Sequence, residues 1–345
     1  MTVLLNSRTS IWFLITLNSK FLVFLVKVDN MKKETPEQLL KCGYTATRLM
    51  QDEGFLRGFF VSKFDQTANY FNHGRFQDYC EKDVRPLWGI GPWWSRLDLY
   101  ENRDPENDIY TFADKYGIYK VVYNPDEKSL LLRLNAERNF EGKPFLRETH
   151  KWWPHLLVEQ STTLAPDYDK VKNRASADRM FVEIDIRLLA FKDTTNSEGV
   201  NVCLFPIYFY LVTDKAPGQR IWFGLTLFNT EAYSDNRTPF WHPDSAAHQY
   251  IYGMPMALVF DGMENSFMPE KGKFAISEEW KKLRFDVTEE IDRAIEWANR
   301  DNIFGVQVTK EDMYFSGVNI GFEVWGNFDC TFEFKNFNMV SYNKN

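Results

Sequence analysis

Clustered cysteine and histidine are missing from this 345-residue sequence. Cys42, Cys80, Cys203 and Cys330 stand far apart with no C-x-x-C pair, and the five histidines form neither H-E-x-x-H nor H-x-H, so a metal centre has no ligand pattern to rest on. The cysteines read as buried thiols: Cys203 and Cys330 each fall in an apolar strand-like run, where a thiol packs as a small hydrophobe. A disulfide or a reactive thiol is the alternative. Excess positive charge is also lacking. Lys and Arg number 41 against 48 Asp and Glu, a formal charge of −7, which provides no basic field for phosphate and removes a nucleic-acid partner. There is no G-x-x-x-x-G-K-[ST], no G-x-G-x-x-G after a strand and no G-x-S-x-G, so nucleotide and serine-hydrolase readings are set aside and no cofactor is called for. Repeats, low-complexity tracts and Pro/Gly/Ser-rich linkers are absent from residues 110–345.

An unbroken membrane-length apolar run is absent too. Ile11 to Val28 is apolar but interrupted by Asn18, Ser19 and Lys20, and no small-residue cleavage site follows. Residues 1–30 admit three readings: an extension upstream of a start at Met31, a membrane anchor or uncleaved signal, or an added strand. A start at Met31 implies a cytoplasmic protein, and a membrane enters only through an anchor at 1–30.

Aromatic side chains are abundant: 30 Phe, 16 Tyr and 11 Trp. Thr35-Pro36-Glu37-Gln38 predicts a helix start with a capping box, and Leu39, Leu40, Tyr44, Thr47 and Met50 extend one face to about Gln51. From Tyr110 onward the chain turns to alternating runs broken by turn residues. Strands are expected near 118–123, 129–135, 154–160, 180–191, 201–212, 220–229, 247–253, 256–261, 281–287, 313–325 and 328–342. Val182, Ile184, Ile186 and Leu188 share one face against Glu183, Asp185 and Arg187. Val318, Ile320, Phe322 and Val324 oppose Asn319, Gly321, Glu323 and Trp325, and Ile221, Phe223, Leu225 and Leu227 oppose Arg220, Trp222, Thr226 and Phe228. Many such strands make an all-β, two-sheet antiparallel sandwich of jelly-roll type spanning 110–345. Residues 31–109 form a lead-in segment that is either a small cap or the first strands of the same body. One late helix is expected near 288–300, capped by Asp286, with Ile291, Ala294, Ile295 and Ala298 on its apolar stripe.

Sugars offer flat apolar faces rimmed by hydroxyls, so their sites combine aromatic platforms with carboxylates, amides and Arg. Trp222 and Trp325 fall on the polar faces of their strands. The other loop or polar-face tryptophans are Trp88, Trp93, Trp94, Trp152, Trp153 and Trp241, for which burial beneath loops is the alternative. Glu183 and Asp185 lie about 6.8 Å apart on one strand face, with Glu323 available from another, a spacing compatible with paired-carboxyl glycoside hydrolysis. The competing reading is a polar face in which Arg187 neutralises Glu183 or Asp185. Trp153-Pro154-His155 and Glu159 offer a base and its orienting group beside a ring, or an edge strand, since Pro154 cannot donate to a ladder. His248 and Tyr250, with Arg220 or Arg187 to neutralise a uronate, suit a polysaccharide lyase. The acidic stretch Asn102 to Asp108 lacks the spacing of a calcium loop and reads as a surface turn.

Glu183-Ile184-Asp185-Ile186 resembles the start of the E-x-D-x-x-E strand of the laminarinase-like glycoside hydrolases, which are concanavalin A-like jelly rolls. The resemblance implies Glu183 as nucleophile and Asp185 as its assistant. The position of the family's acid/base is Leu188, which removes the proton donor. Four residues carry the match, so it reaches the superfamily and no member family. The expectation is an oligo- or polysaccharide-binding jelly roll. Trp222, Trp325 and Trp153 would stack pyranose rings; Arg187, Asn319 and His155 would fix hydroxyls; Glu183, Asp185 and Glu323 would act as carboxyl groups if hydrolysis occurs. A non-catalytic lectin-like or scaffold sandwich is the alternative from a different class.

Overall fold

The computed structural model describes residues 34–62, 85–95, 104, 108, 110–146, 153–162, 175–195, 201–231, 233–244 and 249–344, and the backbone alone of Thr2–Leu5, Ile11–Leu17, Lys20–Phe24 and Gly74–Phe76. Two units divide at Tyr44 and Thr45. The first contains an antiparallel sheet of β1 (Thr2–Leu5), β2 (Ile11–Leu17) and β3 (Lys20–Phe24), then helix α1 (Pro36–Lys41). The apolar N-terminal stretch is drawn as strands. Thr35 and Gln38 form the expected capping box, but α1 stops well short of Gln51. Gly43 takes φ +85°, open to glycine at little cost, and the residues after it run on as a strand.

The second unit is built from β4 (Tyr44–Arg48), β5 (Phe59–Val61), β6 (Gly74–Phe76), β7 (Trp88–Gly91), β8 (Thr111–Ala113), β9 (Tyr119–Asn124), β10 (Ser129–Asn135), α2 (Ala136–Phe140), β11 (His155–Ser161), β12 (Arg179–Asp193), β13 (Val202–Thr213), β14 (Arg220–Asn229), β15 (Phe240–Asp244), β16 (Gln249–Met254), α3 (Met256–Val259), β17 (Lys281–Asp286), α4 (Thr288–Arg300), β18 (Met313–Trp325) and β19 (Phe328–Lys344). Two sheets face each other in a jelly-roll sandwich. One runs β17-β12-β19-β10-β9-β8, with β4 also paired to β19; the other runs β15-β16-β14-β13-β18-β11-β7-β5-β6. β14 with β16 and β5 with β7 pair in parallel, and the other pairs with a described register are antiparallel. Residues between 45 and 95 thus supply strands to both sheets. The run expected as a strand at 256–261 is α3: the Pro255 carbonyl accepts from the Leu258 and Val259 amides, so the chain coils immediately after the proline.

The alternation read from the sequence sets the core. The apolar sets of β12, β14 and β18 are all fully buried. Rings bridge the layers: Phe332 of β19 lies 4.4 Å from Phe205 and 5.9 Å from Phe322, centroid to centroid. Cys203 and Cys330 are buried and unbridged, Cys42 is exposed, and Cys80 lies outside the described residues. The α4 stripe is buried as expected. Asp286 sits one residue before the N-cap, where its carboxylate accepts from the Thr288 amide at 3.0 Å.

Candidate active site

The apolar residues of β18 point into the sandwich, so Asn319, Gly321, Glu323 and Trp325 point out of the nine-stranded sheet. Register carries the same face across its neighbours. His155 and Glu159 of β11 pair with Glu323 and Asn319. Tyr208 of β13 pairs with Asn319 on one side and Gly224 on the other, and Tyr210 pairs with Trp222 of β14. Beyond lie Ile251 and Gly253 of β16, then Phe240, His242 and Asp244 of β15. Glycines let rings lie flat on this face: a Cβ at Gly224 would fall 2.4 Å from the Tyr208 ring, and one at Gly253 2.0 Å from Phe240.

Charge acts across this face. β15 and β18 are four places apart, about 19 Å across a flat sheet. Yet the Asp244 carboxylate raises the pKa of Glu323, and Asp244 and Glu323 together raise that of Tyr208, which burial has already pushed up.

Electrostatics single out Glu323. Burial, then Asp244, push its pKa up to about 7, against an opposing effect of the Trp153 indole N–H. Burial pushes His155 down to about 4. His155 Nδ1 lies 2.9 Å from the Trp153 carbonyl, which can only accept, so Nδ1 carries the proton and Nε2 presents a lone pair. Nε2 is 3.7 Å from Glu323. A neutral imidazole therefore faces a carboxyl group that keeps its proton to near neutrality. Around them Trp325 stacks on Trp153 at 4.4 Å, and Trp153 on His155 at 5.6 Å. Farther along, Trp222 packs edge-on to Tyr210 at 4.8 Å, and Tyr210 donates to Glu159 and accepts from Asn319, both at 3.3 Å.

Buried polar atoms are normally satisfied. Four side-chain atoms among the described residues have no partner, and three belong to this face: Trp153 Nε1, Trp222 Nε1 and Asn319 Oδ1. Trp222 Nε1 and Asn319 Oδ1 are thus buried without a hydrogen-bond partner among the described residues, while the Trp153 N–H acts on the Glu323 carboxyl.

No protein-family model matches the chain, and no curated protein matches it. Among solved structures it is similar to a family 12 xyloglucanase of Bacillus licheniformis, with 11% identity over 70% of this chain and 99% of the other and a TM-score of 0.33. An endoglucanase of Rhodothermus marinus shares 10% over 75% of this chain and 100% of its own, with a TM-score of 0.35. A family 11 xylanase of Neocallimastix patriciarum shares 10% over 73% and 99%, with a TM-score of 0.35. These are jelly-roll sandwiches. Likeness of this degree says nothing about individual residues, whose roles rest on their own geometry.

Of the residues expected from the sequence, Glu323, Asn319, His155, Trp153, Trp222 and Trp325 share this outward face. Glu183, Asp185 and Arg187 do not join them. They lie on β12, on the outward side of the opposite sheet, tied into a polar network. Glu183 accepts from Tyr342 at 2.8 Å, and Asp185 from Arg284 at 2.9 Å and Asn336 at 2.8 Å. Arg187 pairs with Glu333 at 2.6 Å and covers the Trp280 ring at 4.2 Å, rather than neutralising Glu183 or Asp185. The expected single hollow thus splits between two sheets.

The remaining tryptophans disperse. Trp88 is fully buried and donates to the Asp52 carbonyl, Trp93 donates to Ser62, and Trp241 stacks on Tyr250 and donates to Asp301. Trp152, His248 and most of 102–108 lie outside the described residues. Sequence reasoning missed Tyr208, Tyr210 and Asp244. In β13 the outward Tyr208 and Tyr210 alternate with the apolar Ile207, Phe209 and Leu211, so period two showed little contrast. Pro243 hid the short strand carrying Asp244.

Proposed function

We propose that the protein is a polysaccharide hydrolase that holds a glycan along the outward face of the nine-stranded sheet, with Glu323 as proton donor and Asp244 as the second carboxyl group. The observation that carries this reading is the largely buried Glu323 carboxyl, 3.7 Å from His155 Nε2, on the same face as the stacked Trp153 and Trp325 indoles and the buried polar atoms Trp222 Nε1 and Asn319 Oδ1. A carboxyl with a pKa near 7 is matched to protonating a glycosidic oxygen at neutral pH. The proton passes to the leaving hydroxyl as the C–O bond breaks, and water supplies hydroxyl to the anomeric carbon and a proton back to the site. Asp244 either takes the proton of that water or bonds the anomeric carbon first; inversion or retention in the product separates the two. His155, uncharged above about pH 4, leaves Glu323 without a competing cation that would strip its proton. Indole faces stack the pyranose rings, and Trp222 Nε1 and Asn319 Oδ1 bond their hydroxyls.

The test is reducing-end release and binding over a panel of plant and microbial polysaccharides, comparing the full chain with Glu323→Gln. The expected loss in turnover is about 10²- to 10⁴-fold with binding retained. Unchanged cleavage in Glu323→Gln overturns the assignment of the acid. Binding without cleavage by the unaltered chain replaces the hydrolase with a lectin-like module, and a chain that binds no glycan ends the carbohydrate reading.

A further inference from the structure

Arg220 opens β14 on the same face, two residues before Trp222. Its guanidinium lies 5.4 Å from the Tyr210 centroid and 5.4 Å from that of Trp222, so both rings hold it in place. Its backbone amide donates to Gln249 Oε1 at 2.8 Å. The guanidinium itself forms no ion pair or hydrogen bond among the described residues. That separates it from other arginines half-buried on the two sheets: Arg133, Arg179, Arg187 and Arg284 each meet a carboxylate. Two carboxyl groups share this end of the face, and neither lies within 4 Å of Arg220. Glu159 accepts from the Tyr210 hydroxyl, and Asp244 lies across Gln249 in the same row of the sheet. Trp222 Nε1 and Asn319 Oδ1, both without partners, flank the same rings. A planar fork of donors, held by two rings beside an idle indole N–H, matches a sugar carrying a planar or tetrahedral oxyanion better than one carrying hydroxyls alone.

We infer that Arg220, Trp222 and Tyr210 form a subsite for an acidic sugar, whose oxyanion pairs with Arg220 while its ring packs against Trp222. This rests on the carbohydrate reading of the face and narrows its substrate class to anionic glycans.

The test compares binding of the full chain to a polyuronate oligosaccharide, to the same oligosaccharide with its carboxylates reduced to alcohols, and to a sulfated oligosaccharide of similar length. The acidic ligand is expected to bind at least ten-fold more tightly than its reduced counterpart, with affinity falling as salt rises. Arg220→Ala should erase that preference while leaving the reduced ligand unaffected. Arg220→Lys, which keeps the charge and the packing of the stem, should restore part of it. A preference for the uronate over the sulfate assigns a carboxylate, and the reverse a sulfate ester. Equal binding of acidic and reduced ligands, or an acidic preference that survives in Arg220→Ala, overturns the subsite while the wider reading stands. Failure of every ligand to bind overturns both.

Discussion

Gly321 has no room for a side chain. Its φ is +150°, and a Cβ would lie 2.1 Å from the Leu156 carbonyl oxygen, a backbone atom fixed by the pairing of β11 with β18. The residue therefore lets the two strands that present His155 and Glu323 approach each other. Gly321→Ala should destabilise the fold by roughly 2–4 kcal/mol, because strand separation and backbone strain add; urea unfolding measures this, and a loss below 1 kcal/mol would show that the close approach is dispensable. Trp222 offers the opposite case. Its indole N–H is buried without a partner, so Trp222→Phe removes a desolvated donor along with part of a ring. Stability should change by less than about 1 kcal/mol, since the small loss of packing offsets relief of the donor, while glycan affinity should fall about five- to ten-fold. Urea unfolding and binding titration on one preparation check the pair; a large loss of stability with unchanged affinity would make Trp222 a packing residue.

Strands β12 and β18 read alike in the sequence, each with one apolar face and one polar face, and both were correctly divided. Alternation reports which residues share a side of one strand. It carries no information on which strands share a sheet, which is fixed by long-range pairing such as β12 with β19 and β18 with β13. Hence Glu323, Asn319 and Trp222 were legible as outward-facing, as were Glu183 and Asp185, but their separation onto opposite sides of the sandwich was not. At this scale Glu183 belongs to structure. It is buried, takes a hydrogen bond from Tyr342 on β19 and lies 3.8 Å from Arg284 on β17, so it links three strands. Glu183→Ala should cost about 1–3 kcal/mol by leaving the Tyr342 hydroxyl without its acceptor, with glycan binding and turnover unchanged. A variant as stable as the parent but unable to turn over substrate would return Glu183 to the chemistry.

For the molecule as a whole, the consequence of burying Glu323 beside His155 is a stability profile in which two large pH dependences oppose each other. The Glu323 pKa is raised in the folded chain from 4.5 to about 7. Its favourable contribution is therefore complete below about pH 4.5 and is lost as pH rises through 7, an amount on the order of 3 kcal/mol. His155 is depressed from 6.5 to about 4. Its contribution is complete above about pH 6.5 and is lost as pH falls through 4, again on the order of 3 kcal/mol. Between about pH 4.5 and 6.5 the two slopes cancel, so the parent protein should show little pH dependence from this pair. Removing one partner should expose the other. In Glu323→Gln the stability relative to the parent should shift by about 3 kcal/mol in the variant's favour between pH 4.5 and 8, and in His155→Gln by a similar amount in its favour between pH 7 and 4. Denaturant unfolding at a series of pH values reads both, and difference curves that stay flat would mean that neither group is held away from water. The same burial sets the alkaline limb of any hydrolysis near pH 7, because the proton that Glu323 would donate is lost there, so activity should decline above neutrality in the range where the parent has lost the stability that Glu323→Gln retains.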